Sequence, residues 1–258
     1  MILIQNNLSM KKLSITILMV MFCSLLSAQE SYFPDRPGYS YFTHLVGLHQ
    51  MDLEMGYGYN YTNYGEKSNL FYNTNVIRYG AFKFLEFRYE IDFGGISTPT
   101  ISQTGIKGVS VGAKVPIYTN DSIISIGIIG NCYLPNLGKP YFMIPNYSPS
   151  VTLALQKSIG KFILVGNSGV LWDGINPYSQ GTASFAIWYI PSKFGCFAET
   201  MCLYSNKNSP MNCGDVGVVY YLTDNIVADF SCGLNYVSGL NNFFVDSGIS
   251  WRIPNKHK

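Results

Sequence analysis

Gln50-Met51-Asp52-Leu53-Glu54-Met55-Gly56-Tyr57-Gly58-Tyr59-Asn60-Tyr61 alternates without a break. A β-strand points successive side chains to opposite faces, so Met51, Leu53, Met55, Tyr57, Tyr59 and Tyr61 share one face. Gln50, Asp52, Glu54, Gly56, Gly58 and Asn60 share the other, which is polar or bare. The period returns at Leu85-Glu86-Phe87-Arg88-Tyr89-Glu90-Ile91-Asp92-Phe93, where four charges fall on one face of one strand. Apolar rings and aliphatics on one side with charge on the other suit a wall between lipid and a wet interior.

Extending this period outward predicts twelve strands, near 47–61, 68–80, 84–93, 105–117, 122–134, 148–157, 161–172, 181–190, 194–204, 211–222, 225–236 and 242–252. Most are long enough for a tilted membrane crossing, which takes about 9–11 residues. The segments near 68–80 and 181–190 alternate poorly. Links after even strands are short: Ala81-Phe82-Lys83, Tyr118-Thr119-Asn120-Asp121, Ser158-Ile159-Gly160, Pro191-Ser192-Lys193 and Thr223-Asp224. Links after odd strands are longer and richer in Gly, Pro, Asn and Ser, as in Gly94 to Thr104, Pro135 to Tyr147 and Asp173 to Gln180. Short turns at one rim, long loops at the other and an even strand count describe an all-β, transmembrane antiparallel barrel of the bacterial outer membrane. Only closure satisfies the edge hydrogen-bonding groups that hydrocarbon leaves bare.

Composition agrees. Of 258 residues 47% are hydrophobic and only 12% charged, about half the charge of an ordinary soluble domain. The one long apolar run, Leu13 to Leu26, follows Met10-Lys11-Lys12 and precedes Ser27-Ala28-Gln29-Glu30, the form of a cleaved signal peptide. Met1 and Met10 are both candidate initiators. The expected organisation is a signal peptide over 1–28, a lead-in on the periplasmic side or a plug tucked into the barrel over 29–46, and the barrel over 47–258. Loss of Lys11 and Lys12 with the signal leaves 15 basic residues against 15 acidic ones. A neutral chain has no electrostatic pull toward nucleic acid. The expected partners are outer-membrane lipid and a small solute; oligomeric state is not legible.

Alternation places Asp52, Glu54, Glu86, Glu90, Asp92, Glu199, Asp215, Asp229 and Asp246 in the lumen, with Arg78, Arg88, Lys114 and Arg252. Such a surface reads either as a path for cations and polar solutes, since carboxylate rings select cations, or as a paired-charge network that fills a narrow barrel. Tyr57, Tyr59, Tyr133, Trp172, Trp188, Tyr204, Tyr220, Tyr221 and Trp251 are expected in the interfacial girdles. Cys132, Cys196, Cys202, Cys213 and Cys232 have neither the spacing of a zinc site nor an even count. Cys202 and Cys213, flanking one hairpin, are the first candidates should any pair form. His44, His49 and His257 are the only imidazoles; His257 lies in the tail, and His49 falls at the periplasmic start of the first strand, where no catalytic site of an outer-membrane hydrolase is expected. Without a phosphate loop or a metal-ligand spacing, neither catalysis, a cofactor nor a metal is expected. The remaining readings are a small-solute channel or transporter, admitting polar solutes axially or apolar ones through a lateral opening, and a filled structural barrel acting through its loops.

Asp35-Arg36-Pro37-Gly38, then Gln50, Glu54 and Gly56, then Asn75 with Arg78-Tyr79-Gly80 and Glu86 with Arg88, resemble the opening of the MetA-pathway phenol-degradation family. The similarity continues through Gly112 with Lys114, Leu134-Pro135, Gly169 with Trp172, Asp215 with Gly217 and Tyr220, Asp229 with Gly233, and Gly248-Ile249-Ser250-Trp251-Arg252. The resemblance implies an outer-membrane barrel of the kind labelled a transporter in Bacteroidetes, and its name suggests small apolar or aromatic solutes. Two departures stand out: Pro34 precedes Asp35, and the chain ends Pro254-Asn255-Lys256-His257-Lys258 rather than on an aromatic residue.

Overall fold

The computed structural model describes residues 32–253 except 65, 121–122, 208 and 238–239; the signal-peptide expectation lies outside this range. Twelve strands close into one antiparallel barrel: β1 (Met51–Tyr64), β2 (Glu66–Phe82), β3 (Leu85–Ser97), β4 (Ser102–Tyr118), β5 (Ser125–Tyr133), β6 (Ser148–Ile159), β7 (Phe162–Leu171), β8 (Gln180–Tyr189), β9 (Phe194–Tyr204), β10 (Met211–Thr223), β11 (Ile226–Val237) and β12 (Leu240–Ile253). Each strand pairs with its sequence neighbours, and β1 closes on β12 with Met51 opposite Ile253 and Tyr61 opposite Phe243. Register shifts fall at Gly80/Phe82, Asp92/Phe93, Pro116/Tyr118 and Tyr221/Thr223. Pro116 has no N–H to give the ladder, and it sits at one of these irregularities.

Outward side chains form the apolar belt. Tyr57, Phe71, Phe87, Val216 and Phe230 are exposed, while their strand neighbours Arg88, Asp215 and Asp229 are buried inside. The twelve predicted segments match the twelve strands to within a few residues, but one loop does not. Gly94 to Thr104 is not a long loop: β3 and β4 continue to Ser97 and from Ser102, with Gly94 opposite Gly105 and Gly95 opposite Thr104. Glycines without side chains hid the alternation there.

The two poorly alternating segments are regular strands whose faces break the lipid-outside rule. On β2 the outward Asn69, Asn73 and Asn75 spend their amides locally: Asn69 Oδ1 accepts from Tyr59 Oη (2.6 Å), Asn73 donates to Gly56 O (2.7 Å), and Asn75 donates to Asn73 Oδ1 (2.7 Å) and Ile91 O (3.2 Å). On β8 the inward Ala186 and Trp188 are apolar because they pack on other apolar groups inside the barrel.

Those groups belong to the segment ahead of β1. Residues 32–46 lie inside the barrel and pass along its inner wall, and Gly47, Leu48 and His49 emerge exposed at the rim where β1 begins. Tyr39 N–H donates to Glu199 on β9 (2.6 Å), Ser40 Oγ meets Ser184 Oγ on β8 (2.7 Å), and Tyr41 N–H donates to Asn167 on β7 (2.6 Å). Thr43 N–H donates to Gln156 on β6 (3.1 Å), Val46 N–H to Glu86 on β3 (2.9 Å), and His49 N–H to Gly80 O on β2 (2.7 Å). An irregular backbone at membrane depth needs a partner for every polar group; inward Asn, Gln and Glu side chains supply them. Tyr32 and Phe42 pack with Trp188, Phe197, Val219, Tyr221 and Val227 as an apolar cluster against the β7–β11 wall.

The inward side chains correct three girdle assignments. Trp188 and Tyr221 belong to the inner cluster, and Tyr133 points into the lumen with its hydroxyl on Glu90 and Asp92. Cys202 and Cys213 are not a disulfide. Cys202 faces Asn212 and Cys213 faces Met201 across the β9–β10 ladder, so their side chains lie on opposite faces of the sheet, and all five described cysteines are free.

At the loop rim, Asp173 accepts the amide N–H groups of Ile175 (2.9 Å) and Asn176 (2.7 Å) and the side chains of Asn176 and Gln180. Slight burial works the other way, but these donors hold its carboxyl below the ordinary value.

Candidate functional site: a charged latch below an acidic chamber

The luminal residues divide into two groups at different heights. The lower group is a latch. Asp35, the single acid of the inner segment among the described residues, accepts Lys114 Nζ at both carboxylate oxygens (2.9 Å) and bonds Arg88 Nη1. Arg78 Nε lies 3.6 Å from it. Arg78 donates to Glu86 (2.8 and 2.9 Å) and Glu54 (2.8 Å), and Arg88 donates to Glu86 (3.0 Å). Asp52 stands 3.8 Å from Arg78. Register builds this cluster: Asp52 pairs with Arg78, Arg78 with Arg88, and Glu86 with Lys114, all facing inward on β1–β4. Lys114 and Glu86 are fully buried. Charges so enclosed persist only with partners and donors on every side.

The next residue, Arg36, turns to the adjoining β11–β12 wall and bonds Asp229 (3.2 Å) and Asp246. It passes over Gly56 and Gly248, which are register partners. A Cβ at Gly56 would overlap the Arg36 guanidinium, and one at Gly248 would come within 2.5 Å of Arg36 Nε. The bare notch in the wall is what admits the arginine. Gly38, at φ +99°, crosses close above Glu199: a Cβ there would sit 2.6 Å from Glu199 Oε2.

Above Asp35 and Arg36 lies a chamber of about 550 Å³. Asp35, Glu54, Glu90, Asp92, Asp215 and Asp246 line it against the cations Arg36, Arg88 and Lys107, with Tyr133, Asn60 and Ser231 as neutral polar groups and Tyr39, Tyr41, Tyr72, Phe71, Phe142 and Phe244 as rings. Its floor is the inner segment and its upper edge reaches Lys107 and Phe142 of the loop side. A second hollow of about 660 Å³ lies on the outer wall among Tyr57, Tyr59, Phe71, Phe93, Phe230 and Val245. Phe71, Tyr72, Gly95 and Asp246 line both spaces. Between them the wall is one strand layer thick, and Gly58 leaves room there for the Tyr72 ring.

The structure thus brings Asp52, Glu54, Arg78, Glu86, Arg88 and Lys114 into the latch, and Glu90, Asp92, Asp215 and Asp246 to the chamber. Asp229 holds Arg36, and Glu199 receives the inner segment. Arg252 stands apart at the turn rim, donating to Asn225 (3.0 Å) and Asp224 O (2.9 Å) with its guanidinium 5.0 Å above the Tyr32 ring. Alternation alone could not find Asp35, Arg36, Gln156 or Asn167 as luminal partners. Charge balance offered no signal for them, since alternation sets Arg78, Arg88 and Lys114 on the inward face of β2–β4 against Glu86, Glu90 and Asp92. Among the described residues no group of three or more His, Cys, Asp or Glu is placed to hold a metal ion.

This division separates two effects of neutralising acids. Glu86→Gln removes charge from the latch and is expected to lower the unfolding temperature in detergent while leaving ion selectivity nearly unchanged. Glu90→Gln with Asp92→Asn removes chamber charge and is expected to reduce cation preference in a salt gradient with little change in stability. Bilayer reversal potentials and thermal unfolding check both, and equal selectivity losses in the two variants would reject the division.

A closed twelve-strand barrel with an apolar outer belt and a polar, segment-filled interior defines an outer-membrane β-barrel. The profile of the family described as "Putative MetA-pathway of phenol degradation" matches residues 34–253, and the chain belongs to that family. Among solved structures, the barrel is similar to the COG4313 outer membrane channel from Pseudomonas putida F1 (TM-score 0.67, 12% identity, 86% of this chain and 100% of that one). It is also similar to the KdgM porin (0.55, 12%, 78% and 99%) and the CymD monoaromatic hydrocarbon channel (0.50, 9%, 81% and 90%). At such identities the likeness is one of fold. No curated protein matches the sequence.

Proposed function

We propose that this barrel is a channel for small solutes with an aromatic or apolar body, which enter the chamber from the loop side and leave sideways through the β1–β2–β3 wall. The observation that carries this reading is the pair of ring-lined spaces with a shared wall at Phe71, Tyr72 and Gly95. The axial way down is occupied: Phe42 and Asp35 of the inner segment are almost wholly buried beneath the chamber. An apolar solute has no reason to displace the charged latch, whereas the outer hollow is walled by the rings it prefers. The fold likeness to outer-membrane channels, one of them a monoaromatic hydrocarbon channel, supports the same reading.

Uptake of radiolabelled 2-phenylethanol by a porin-deficient Gram-negative host expressing the barrel tests it. Expression is expected to raise initial uptake severalfold over vector. Tyr72→Ala, which removes the ring between chamber and hollow, is expected to raise it further without changing axial ion conductance. Uptake equal to vector would reject the channel and favour a filled barrel acting through its loops; a Tyr72→Ala effect confined to axial conductance would reject the side exit.

A further inference from the structure

Several acids of the chamber are answered by cations of the chain: Asp246 by Arg36, Glu54 by Arg78, and Asp35 by Arg88 and Lys114. Two sets are not. Glu90 and Asp92 share the Tyr133 hydroxyl (2.5 and 2.8 Å), and Asp92 Oδ1 has no partner. Five strands round the ring, Asp215 lies on β10 directly opposite Glu199 on β9. Asp215 is only 5% exposed, yet neither of its carboxylate oxygens has a hydrogen-bond donor, and Glu199 Oε1 has none either. A carboxylate held this far from water without a partner is costly. Asp215 lines the same chamber as the Tyr39, Tyr72 and Phe244 rings.

A cation meets both features, and the residues around it say which kind. A metal ion needs several converging ligands, and the described residues offer no such group. An organic ammonium needs one or two carboxylates and gains further from ring faces within about 6 Å. We propose that the chamber takes small organic ammonium compounds with an apolar or aromatic body, seating the ammonium on Asp215. This deepens the channel reading above and rests on it. The ring-lined volume receives the body, and the orphaned carboxylate receives the head. Anionic solutes are excluded by the same charges.

The test compares two near-isosteric probes, 2-phenylethylamine and 2-phenylethanol, by titration calorimetry on the folded barrel in micelles and by uptake in expressing cells. The amine is expected to bind at least about tenfold more tightly than the alcohol, a difference of about 1.4 kcal/mol. Asp215→Asn, which keeps the shape and any hydrogen bond to Glu199, is expected to remove that preference and leave alcohol binding unchanged. Asp215→Ser gives the same result if the charge is the cause, and wild-type protein alone decides the amine-to-alcohol ratio should neither variant fold. Equal binding of both probes, or a preference that survives Asp215→Asn, overturns the inference. The second outcome would leave Asp215 and Glu199 as a pair sharing one proton. Faster alcohol uptake than vector with no amine preference rejects this inference and keeps the channel; failure of both probes to enter rejects the channel itself.

Discussion

Asp35→Ala is expected to raise single-channel conductance severalfold and to destabilise the folded barrel by about 3–5 kcal/mol, the usual cost of removing one partner from a buried ion cluster. Arg78, Arg88 and Lys114 converge on this carboxylate. Removing it leaves three cations whose remaining answers, Glu54, Glu86 and Asp52, all belong to the wall and none to the inner segment. The segment then keeps the Arg36 pairs with Asp229 and Asp246 on β11 and β12, its hydrogen bonds to the wall and the Tyr32 and Phe42 packing. Neutral hydrogen bonds are each worth about 0.5–1.5 kcal/mol net. Three cations bear on Asp35 where two acids hold Arg36, so loss of Asp35 is expected to release the segment from the β1–β4 wall and open the axial path there. Asp35→Asn keeps the shape and donates as well as accepts, so it should fall between wild type and alanine. Planar-bilayer conductance with thermal unfolding in the same detergent decides the matter. A destabilised barrel with unchanged conductance would mean that the Arg36 pairs, the packing and the backbone bonds keep the segment seated without Asp35.

Gly56→Leu is expected to be nearly as damaging, for a steric reason first and an electrostatic one second. A Cβ at Gly56 overlaps the Arg36 guanidinium, and the register partner Gly248 approaches the same group from the adjacent strand. Arg36 must leave, and Asp229 and Asp246 then lose their cation. The cost is again about 3–5 kcal/mol. Because Asp246 also lines the chamber, the freed carboxylate should increase cation preference in a salt gradient. Gly58→Leu, two residues on along the same inward face, meets the Tyr72 ring rather than Arg36 and should spare the floor of the chamber. Reversal potentials and thermal unfolding separate the two. Equal stability of Gly56→Leu and wild type would show that Arg36 can be accommodated without the notch.

The barrel was legible because its strands obey a simple rule over most of their length. Met51 to Tyr61 and Leu85 to Phe93 place lipid-facing and luminal groups on alternate positions, and twelve such segments with alternating link lengths leave few other folds. The rule failed where the inside is not wet or the outside is not oily. β8 turns Ala186 and Trp188 inward onto Phe42, β2 turns three asparagines outward, and the glycines of Gly94 and Gly95 carry no side chain to mark a face. The girdle assignments of Trp188, Tyr221 and Tyr133 failed for the same reason: an aromatic ring near a strand end is ambiguous until it is known what fills the lumen.

By itself, then, the sequence determined the wall: strand number, strand order and the family. Periodicity is a local property, read within ten residues, and a closed antiparallel sheet adds only nearest-neighbour pairing to it. Tertiary structure decided what the inward charges do. Whether Arg78, Arg88 and Lys114 face water or a carboxylate depends on a segment that reaches β9, β8, β7, β6 and β3 in turn. None of those contacts has a sequence period. Asp35 closes a latch and Asp215 stays unanswered because of where that one segment runs, and such long-range placement follows from packing and charge pairing across the lumen.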